Sequence, residues 1–475
     1  MNLEEKVIDL THTRPAITTF KGSSTRQDIL KKVQSYVAFL DSLEIEGKRV
    51  GLLVPEIEAY LPLILAINKL GGTVMPLNPQ FRKEDLKSIL TLLDPHIIFT
   101  VSHYNGFNFK EAIEESLKAT GKATLLYTSE TCSEWEKQIY EGPSSPLEGQ
   151  VNNFICCSSG STGTPKGLVF NLSIFDYSYH LISRFTRLKA EDTVLFYTST
   201  STVFGIKSMT NIIKTGAHAV IPTSFDLPAI IKMMQETKCN KVITTPSVLK
   251  AIYTFAKHLA PEVLKNLEWI ALTGEKMPQG FPNQFPLLTH CSFISQYGVS
   301  ETGAIAESDL RQGEAHIVYD ENDFKVVDGE LLVKTGALFT EYFHNPAQTK
   351  AAFDDEGWYY TGDLVEVMAP RTLKIVGRKK DMIKKGGQQV NPSEIEKVIA
   401  SLEGVKNVVI VGAPHAIYGE HVVAFVVAKG LKSADIRSYC KGKISAYKIP
   451  DQIVFLDELP IRQGKVDKLK LKTLI

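Results

Sequence analysis

Hydrophobic and polar residues follow a repeating order along most of the chain, in which a short apolar run precedes a longer segment with helical spacing. Residues 48–54 (KRVGLLV) and 73–76 are apolar runs, and segments with helical spacing follow them at 57–70 and 84–93. The same order returns in the later segments 193–197, 217–222, 228–236, 241–244, 246–255 and 269–273. This alternation predicts an α/β fold whose sheets are largely parallel.

The last hundred residues show a different arrangement of segments. The pattern comprises two runs rich in β-branched residues, 405–412 and 422–428, and two helical patterns, 392–402 and 433–444. Such a mixture is typical of a compact α+β domain. We therefore predict a large N-terminal domain of layered α/β subdomains, residues 1–377, and a small α+β domain, residues 378–475.

Basic residues are concentrated in this C-terminal part. Residues 376–475 contain 18 Lys and Arg against 10 Asp and Glu, whereas residues 1–375 contain 35 against 43. A solvated lysine-rich surface and a surface that meets polyanions would both give this excess. The whole chain has 53 basic and 53 acidic residues, so its net charge does not favour nucleic acid or an anionic membrane as a partner.

The composition is that of an ordinary globular protein. The chain has 475 residues, of which 44% are hydrophobic and 22% charged, and these values exclude a disordered or collagen-like chain. The most apolar stretch, residues 60–77, is shorter than the ~20 apolar residues of a membrane-spanning helix. The N-terminal segment MNLEEKVIDLTH does not resemble a signal peptide, so we expect a cytoplasmic protein. The six cysteines lack metal-ligand spacing, and we expect them to be reduced core residues.

Residues 158–167 (SSGSTGTPKG) form the first candidate for chemistry and are predicted to join two strands. Their small side chains would let backbone N–H groups approach a phosphate, and the hydroxyl groups and a lysine would add donors. The candidate phosphate ligands are Ser158, Ser159, Gly160, Ser161, Thr162, Gly163, Thr164 and Lys166. The segment is not a Walker A loop, because Gly167 stands where that motif has Ser or Thr. In isolation, it would equally fit a plain surface turn.

Two further segments could complete a nucleotide site. Residues 296–303 (QYGVSETG) offer an aromatic ring that could cover a purine and a carboxylate, Glu301, that suits a hard cation. Residues 359–364 (YYTGDL) contain Asp363, which could accept hydrogen bonds from both ribose hydroxyls. Taken alone, the first would fit a solvated loop, and Asp363 would fit a turn or a helix N-cap.

These segments occur in a fixed order with several others, and the ordered set resembles the adenylate-forming superfamily. That superfamily includes acyl-CoA synthetases, peptide-synthetase adenylation domains and beetle luciferases, and the chain is most similar in motif to a bacterial fatty acyl-CoA ligase. The resemblance covers most of the chain. Its segments are LGGTVMPLNP (70–79), SSGSTGTPKG (158–167), LTGE (272–275), QYGVSETG (296–303), YYTGDL (359–364), GRKKDMIKKGG (377–387) and PIRQGKVDK (460–468).

The resemblance implies roles for individual residues in binding ATP. Residues 158–167 would hold its β- and γ-phosphates, with Thr162 and Glu301 near Mg²⁺. Tyr297 would stack on adenine, and Asp363 would hold the ribose hydroxyls. The implied nucleotide site further includes Gly274, Glu275, Gly298, Ser300 and Arg378.

The resemblance also implies a second set of residues that serve catalysis and thiol transfer. Lys465 matches the catalytic lysine of the family, and Glu301 would act with it. Lys380 stands where such enzymes have a hinge about which a mobile C-terminal domain turns between half-reactions. Gly386 and Gly387 match the glycines that line the tunnel for CoA.

The activity implied by the resemblance is ATP-dependent conversion of a carboxylic acid into an acyl adenylate and then into a CoA thioester, with release of pyrophosphate and AMP. ATP, Mg²⁺, CoA and a small carboxylic acid are the implied ligands, and assembly as a homodimer is left open. One alternative is an enzyme that loads a carrier protein instead of CoA; the absence of a carrier segment after Lys468 favours CoA. A non-catalytic nucleotide-binding homologue is a second alternative, but it would predict loss of Lys465, Glu301 or Asp363, and all three are present.

The expected acyl pocket departs from the family pattern. Residues 200–206 (TSTVFGI) place Thr202 where acyl- and aryl-CoA synthetases commonly have His, two residues before Phe204. An Asp that would bind an amino-acid ammonium group is expected near residues 197–199, but the segment FYTSTS (196–201) has none, which disfavours a free amino acid. Because residues 198–204 and 298–306 are mostly small or apolar near the expected acyl wall, we expect an uncharged acyl chain such as that of a fatty acid.

Overall fold

The computed structural model describes residues 2–147, 154–158, 165–275, 277–278, 280–385, 388–415, 419–441, 443–462 and 465–475. Helices and strands alternate over most of this chain. The α-helices are α1 (Leu3–Val7), α2 (Arg26–Asp41), α3 (Ile57–Lys69), α4 (Lys83–Leu93), α5 (Phe109–Thr120), α6 (Ser173–Thr186), α7 (Val203–Lys214), α8 (Leu227–Thr237), α9 (Pro246–Leu259), α10 (Pro261–Asn266), α11 (Pro346–Ala351), α12 (Pro392–Ala400), α13 (Ser433–Cys440) and α14 (Lys468–Lys472).

The strands are mostly three to seven residues long. They are β1 (Ile17–Thr19), β2 (Gly22–Ser24), β3 (Arg49–Leu53), β4 (Thr73–Pro76), β5 (Ile97–Val101), β6 (His103–Tyr104), β7 (Phe107–Asn108), β8 (Thr124–Ser129), β9 (Glu136–Tyr140), β10 (Phe154–Ser158), β11 (Lys166–Phe170), β12 (Thr193–Tyr197), β13 (His218–Val220), β14 (Lys241–Thr244), β15 (Trp269–Leu272), β16 (Ser292–Val299), β17 (Gly303–Asp309), β18 (His316–Val318), β19 (Asp323–Val327), β20 (Glu330–Lys334), β21 (Glu341–Tyr342), β22 (Tyr359–Ala369), β23 (Thr372–Arg378), β24 (Ile383–Lys385), β25 (Gln388–Val390), β26 (Val405–His415), β27 (Gly419–Ala428), β28 (Gln452–Phe455), β29 (Ile461–Arg462) and β30 (Lys465–Val466).

The chain divides into two compact units. The first comprises Met1–Asn322 and Lys334–Phe353, and the second comprises Asp323–Val333 and Asp354–Ile475. Residues 377 and 378 lie inside the second unit, because β23 carries both and pairs with β22 there. The compact units therefore divide the chain elsewhere than the expected boundary, and the limits of a moving domain at residue 378 stay a prediction.

Two sheets form the framework of the first unit. One has the strand order β18-β17-β16-β15-β14-β12-β13-β1-β2, in which the strands from β16 to β1 run parallel. The other has the order β21-β11-β10-β4-β3-β5-β8-β9, in which the strands from β10 to β8 run parallel. The predicted α/β fold with largely parallel sheets is confirmed.

Local sequence explains several of these elements. Helix α3 is apolar around most of its circumference, and residues 59–68 are all buried, as expected of a helix inside α/β layers. Helices α8 and α9 begin at the N-caps Asp226 and Thr245, whose side chains accept hydrogen bonds from backbone N–H groups, and each has a proline in its first turn. The apolar faces of both helices pack into one cluster with β14 and β15.

The described part of the second unit is rich in β-strands, and its last two, β29 and β30, pair with each other. Strands β19, β20, β22 and β23 follow one another in one sheet, and a second sheet has the order β25-β24-β27-β26 with β28 parallel to β27. Helices α12 and α13 bury Ile395, Ile399, Ile436 and Cys440 in a cluster with strands of this second sheet. The predicted α+β character of the C-terminal residues is confirmed.

The cysteines and the apolar helices bear on two further expectations. All six cysteines are free, and all but the partly buried Cys157 are buried, in agreement with their predicted place in the core. Within the described ranges, no helix has both the length and the hydropathy needed to span a bilayer.

Candidate active site

The two strands that flank the predicted phosphate loop form a hairpin. Strands β10 and β11 are antiparallel and place Ser158 opposite Lys166, so the prediction that the loop joins two strands is confirmed. The side chain of Ser158 and all of Ser159, Gly160, Ser161, Thr162, Gly163 and Thr164 lie outside the described residues, and their phosphate contacts stay predictions.

Gly167, at the base of this hairpin, shows why the loop is not a Walker A motif. A Cβ atom at this position would lie 3.0 Å from Cβ of Phe343 and 3.2 Å from side-chain atoms of Ile155 and Leu93. The surrounding packing therefore leaves little room for the Ser or Thr that a Walker A loop requires here.

Lys166 and Glu301 both contact the side chain of one tyrosine, Tyr342. Tyr342 lies on β21, which pairs with β11, and Nζ of Lys166 is 4.7 Å from the centroid of its ring. The Tyr342 hydroxyl donates a hydrogen bond of 3.0 Å to Oε1 of Glu301. Tyr342 was not predicted from the sequence. It is 41 residues from Glu301, and the pairing of β21 with β11 brings the two together.

Glu301 is held in a tight turn between β16 and β17. It is half-buried, and its backbone carbonyl accepts a 2.7 Å hydrogen bond from the N–H of Phe339. The strand register shifts between Tyr297 and Gly298, where a Cβ on Gly298 would lie 2.0 Å from the carbonyl oxygen of Gly303. Only glycine fits at that position, so the geometry of the hairpin requires the glycine of the QYG segment.

Tyr297 has a histidine neighbour that the sequence did not indicate. The centroid of its half-buried ring is 5.9 Å from that of His316, in an edge-to-face arrangement. Burial lowers the pKa of His316 to about 4, so its imidazole is neutral at pH 7. Ser300, in the same turn as Glu301, is exposed.

Gly274 and Glu275 follow the carboxyl end of β15, next to β16, which carries Tyr297. Gly274 has a φ of +86°, which favours glycine. The Glu275 carboxylate accepts hydrogen bonds from the N–H and the hydroxyl of Ser247, at 3.1 and 2.6 Å, in the first turn of α9. The structure thus gathers three predicted nucleotide-binding residues at the carboxyl ends of adjacent parallel strands, where α/β sheets commonly bind ligands.

Thr202 acts as the N-cap of α7. Its hydroxyl accepts a 3.0 Å hydrogen bond from the N–H of Gly205 and donates one of 2.9 Å to the carbonyl of Ser199. The hydroxyl is therefore engaged locally, while Phe204 is half-buried in the first turn. The assignment of Thr202 and Phe204 to an acyl pocket stays a prediction.

Lys207, further along α7, is a charged residue that was not among the site residues predicted from sequence. Its side chain is buried, with 3% relative exposure, and Nζ has no hydrogen-bond partner in the described part of the chain. Nζ lies 5.5 Å from the centroid of the Phe170 ring and 3.9 Å from the position that a Cβ would take at Gly303. Burial lowers the pKa of Lys207 to about 7, because the ammonium group loses its hydration.

In the second unit, Asp363 and Arg378 form an ion pair across β22 and β23. They are directly opposed in the strand register, and Nε of Arg378 is 2.5 Å from Oδ1 of Asp363. Asp363 is buried, whereas Arg378 is exposed. Asp363 therefore lies in the middle of a strand, and neither a turn nor a helix N-cap explains it.

The predicted hinge residue, Lys380, is exposed in a short 3₁₀ turn between β23 and β24. On either side of it, Lys379 pairs with Glu330 and Asp381 pairs with Lys468, both at 2.6 Å. The predicted CoA-tunnel residues, Gly386 and Gly387, lie outside the described residues.

Lys465 begins β30, the second strand of a short hairpin with β29. It is exposed, and within the described chain it forms no ion pair. The helix α14 follows at once, with Asp467 as its N-cap. Lys468 is engaged by Asp381, so the lysines of this tail are not equivalent.

The donor set suits magnesium bound together with a nucleotide. In the part of the chain that the structure describes, no group of three His, Cys, Asp or Glu side chains could hold a metal ion by itself. Magnesium commonly takes only one or two protein carboxylates and completes its shell with phosphate oxygens and water. Glu301 fits this pattern, because its half-buried carboxylate is oriented by Tyr342; Thr162 lies outside the described residues.

Comparisons with known proteins agree with the motifs. The chain matches the family described as AMP-binding enzyme over residues 5–343 and the AMP-binding enzyme C-terminal domain over residues 394–465. It is 26% identical over 453 residues to the long-chain-fatty-acid–CoA ligase FadD13 of Mycobacterium tuberculosis, covering 90% of this chain and 88% of that protein.

A second relative and a solved structure extend the likeness over nearly the whole chain. The 2-succinylbenzoate–CoA ligase of Listeria monocytogenes is 25% identical, with 99% of this chain and 98% of that protein covered. The crystal structure of ATP-bound MatB from Rhodopseudomonas palustris has the same fold, with a TM-score of 0.87 at 21% identity over 100% of this chain and 99% of that one. The chain therefore belongs to the AMP-binding enzyme family, within the adenylate-forming superfamily that its motifs resemble.

Proposed function

We propose that this AMP-forming acid–thiol ligase activates a carboxylic acid with ATP and transfers the acyl group to CoA, with release of pyrophosphate and AMP. The observation that carries the proposal is the contact of Lys166 and Glu301 with Tyr342. It brings the ammonium group of Lys166 near the carboxylate of Glu301, in the turn of the hairpin that carries Tyr297. Relatives named as CoA ligases support CoA as the acceptor. The finer proposal is a fatty acid, supported by FadD13 and by the small or apolar residues expected at the acyl wall.

The chemistry requires two anions to meet, the acid carboxylate and the α-phosphate of ATP. On the proposed mechanism Lys465 stabilises the charge that grows at the α-phosphate, while Lys166 and the loop before it hold the departing pyrophosphate. Glu301 would hold Mg²⁺, which when bound offsets the charge of the phosphates. Asp363 would orient the ribose, and no side chain needs to act as a nucleophile.

Pyrophosphate release with graded carboxylic acids tests the proposal. Purified protein should release pyrophosphate only when both ATP and an accepted acid are present, and CoA should then yield a thioester and AMP. Adenylate formation followed by transfer to a carrier protein, with CoA inactive as acceptor, would support the carrier-loading alternative. Failure to release pyrophosphate with any acid would contradict a ligase function altogether.

Replacement of Tyr342 by phenylalanine tests whether Glu301 must be oriented. We expect the magnesium concentration needed for half-maximal pyrophosphate release to rise about fivefold, because one hydrogen bond worth about 1 kcal/mol is lost. Tyr36→Phe is the matched control, since it removes a 3.1 Å hydrogen bond to the carbonyl of Cys132 elsewhere in the first unit. An unchanged magnesium requirement in Tyr342→Phe would remove this tyrosine from the site.

Replacement of Lys380 by proline tests the predicted hinge. We expect adenylation to continue and thioester formation to be blocked, because proline fixes φ and hinders the backbone rotation that the two half-reactions require. The measurement is pyrophosphate release in the absence of CoA, compared with thioester formation from synthetic acyl adenylate. Lys380→Ala removes the same charge without fixing φ and should retain both steps, whereas equal loss of both steps in the proline variant would indicate misfolding.

A further inference from the structure

We propose that Lys207 pairs with a carboxylate of the acid substrate, an assignment that rests on the ligase function proposed above. The residue is buried on α7, the helix whose N-cap is Thr202. The hydroxyl of Thr202 already donates to the carbonyl of Ser199 and accepts from the N–H of Gly205, so it does not donate to a substrate. Lys207 supplies a donor from the same helix.

A buried lysine without a partner is costly, which is why such groups are rarely left in folded proteins without a role. Moving an ammonium ion out of water costs several kcal/mol unless an opposite charge or several hydrogen bonds compensate it. Lys207 pairs with no carboxylate in the described chain, and its Nζ lacks a hydrogen-bond acceptor there. The group that would satisfy Nζ is therefore a bound anion, such as a carboxylate of the substrate.

The surroundings of Nζ place this anion next to the proposed reaction centre. Nζ lies beside the ring of Phe170, on the strand that begins at Lys166, and 3.9 Å from the position of a Cβ at Gly303. Gly303 is two residues after Glu301 and begins β17. A Cβ at Gly303 would also lie 3.3 Å from Cβ of Ala337, so the backbone of this residue packs closely beside Lys207.

Two substrate carboxylates could fill this role, and they differ in what happens during the reaction. The reacting carboxylate would lose its charge when the mixed anhydride forms, so its pairing with Lys207 would be transient. A second carboxylate elsewhere on the acid would keep its charge through both half-reactions. Both cases predict that Lys207 acts on the affinity for the acid and leaves the affinity for ATP unaffected.

Kinetics of Lys207→Met with paired acids test the assignment. The panel comprises monocarboxylates of graded length and α,ω-dicarboxylates of the same lengths, for example octanoate and suberate. We expect the KM for the preferred acid to rise about 10- to 100-fold, as for loss of a charge-assisted hydrogen bond, and the KM for ATP to stay within about twofold. A rise in the KM for monocarboxylates shows that Lys207 pairs with the reacting carboxylate. Loss of a wild-type preference for dicarboxylates shows that Lys207 pairs with a second carboxylate of the acid. An unchanged KM for every accepted acid would overturn the proposal.

Lys214→Met is the matched control, because Lys214 is an exposed lysine at the end of the same helix. It should leave both KM values unchanged. Thermal unfolding without acid separates binding from folding: Lys207→Met should be at least as stable as the wild type, because a similarly shaped apolar side chain replaces a buried unpaired amine. Should the methionine variant fail to fold, Lys207→Gln is judged by the same KM criteria.

Equilibrium binding separates this proposal from the proposed ligase function. If the wild type releases no pyrophosphate with any acid, the ligase function fails, and Lys207 is then judged by thermal stabilisation with octanoate and suberate alone. Stabilisation of the wild type by either acid, absent in Lys207→Met and present in Lys214→Met, would support a carboxylate site at Lys207. Equal stabilisation of all three proteins, or of none, would overturn it.

Discussion

Lys465→Ala is expected to lower the rate of adenylate formation by about 10²- to 10³-fold, equivalent to roughly 3 to 4 kcal/mol of transition-state stabilisation. The magnitude follows from deletion of one preorganised donor to a developing oxyanion. On the proposed mechanism this lysine acts only in the first half-reaction. The variant, given synthetic acyl adenylate and CoA, should therefore form thioester at close to the wild-type rate, and comparison of the two rates is the measurement.

The choice of control lysine for this experiment follows from the structure. Lys468 is paired with Asp381, next to the predicted hinge, so its removal would disturb more than the charge of the tail. Lys470 and Lys472 are exposed on α14 and are the suitable controls. If Lys470→Ala and Lys472→Ala lose adenylation as strongly as Lys465→Ala, the lysines form a diffuse positive field, and the catalytic assignment is wrong.

Asp363→Ala is expected to weaken ATP binding by about 10²-fold or more. Each charge-assisted hydrogen bond from a ribose hydroxyl is worth roughly 1.5 to 3 kcal/mol, and the proposal gives Asp363 two of them. The structure adds a second explanation for weaker ATP binding in Asp363→Ala, namely loss of the ion pair that the same carboxylate forms with Arg378. Arg378→Ala removes that ion pair and leaves the carboxylate, so it should weaken ATP binding less than Asp363→Ala does.

A nucleotide lacking the ribose hydroxyls sharpens this comparison. Wild-type protein should bind 2′,3′-dideoxy-ATP about as weakly as Asp363→Ala binds ATP, and Asp363→Ala should bind the two nucleotides almost equally. This pattern is a double-mutant cycle between protein and ligand, with the apparent dissociation constants as its measurement. Retained discrimination between the nucleotides in Asp363→Ala would assign the ribose to other residues.

Much of the fold could be predicted, because the periodicity of apolar residues reports which faces of local elements are buried. The apolar run at 73–76 is strand β4, and the helical pattern at 57–70 is α3 within one residue. Motif glycines such as Gly298 can also be recognised from sequence, because the backbone contact that requires glycine there is with a residue only five positions away. Sequence therefore sufficed where cause and effect lie within a few residues of each other.

The remaining features depend on contacts between distant segments. Tyr342 reaches Glu301 only through the pairing of β21 with β11, and His316 reaches Tyr297 only in the folded sheet. Asp363 taken alone would fit a turn or a helix N-cap, yet the YYTGDL segment is part of strand β22. These cases need the register of the sheets, which local pattern does not contain.

Lys207 is different, since a signal for it was present. It is a charged residue within the otherwise mostly apolar or small segment 203–213, which helical spacing buries on several sides. A charge within a helix that has no wide polar face is an anomaly that sequence can reveal. The missing information was the absence of an acidic partner, which only coordinates could supply.

The two ion pairs around Lys380 determine how a turn at this residue would respond to ionic strength. Lys379 is paired with Glu330 and Asp381 with Lys468, so ion pairs restrain the residues on both sides of Lys380. Screening at higher salt weakens pairs with exposed members and would let the neighbouring residues share the rotation. Salt concentration would then alter the passage between half-reactions without touching any group that contacts the reacting atoms.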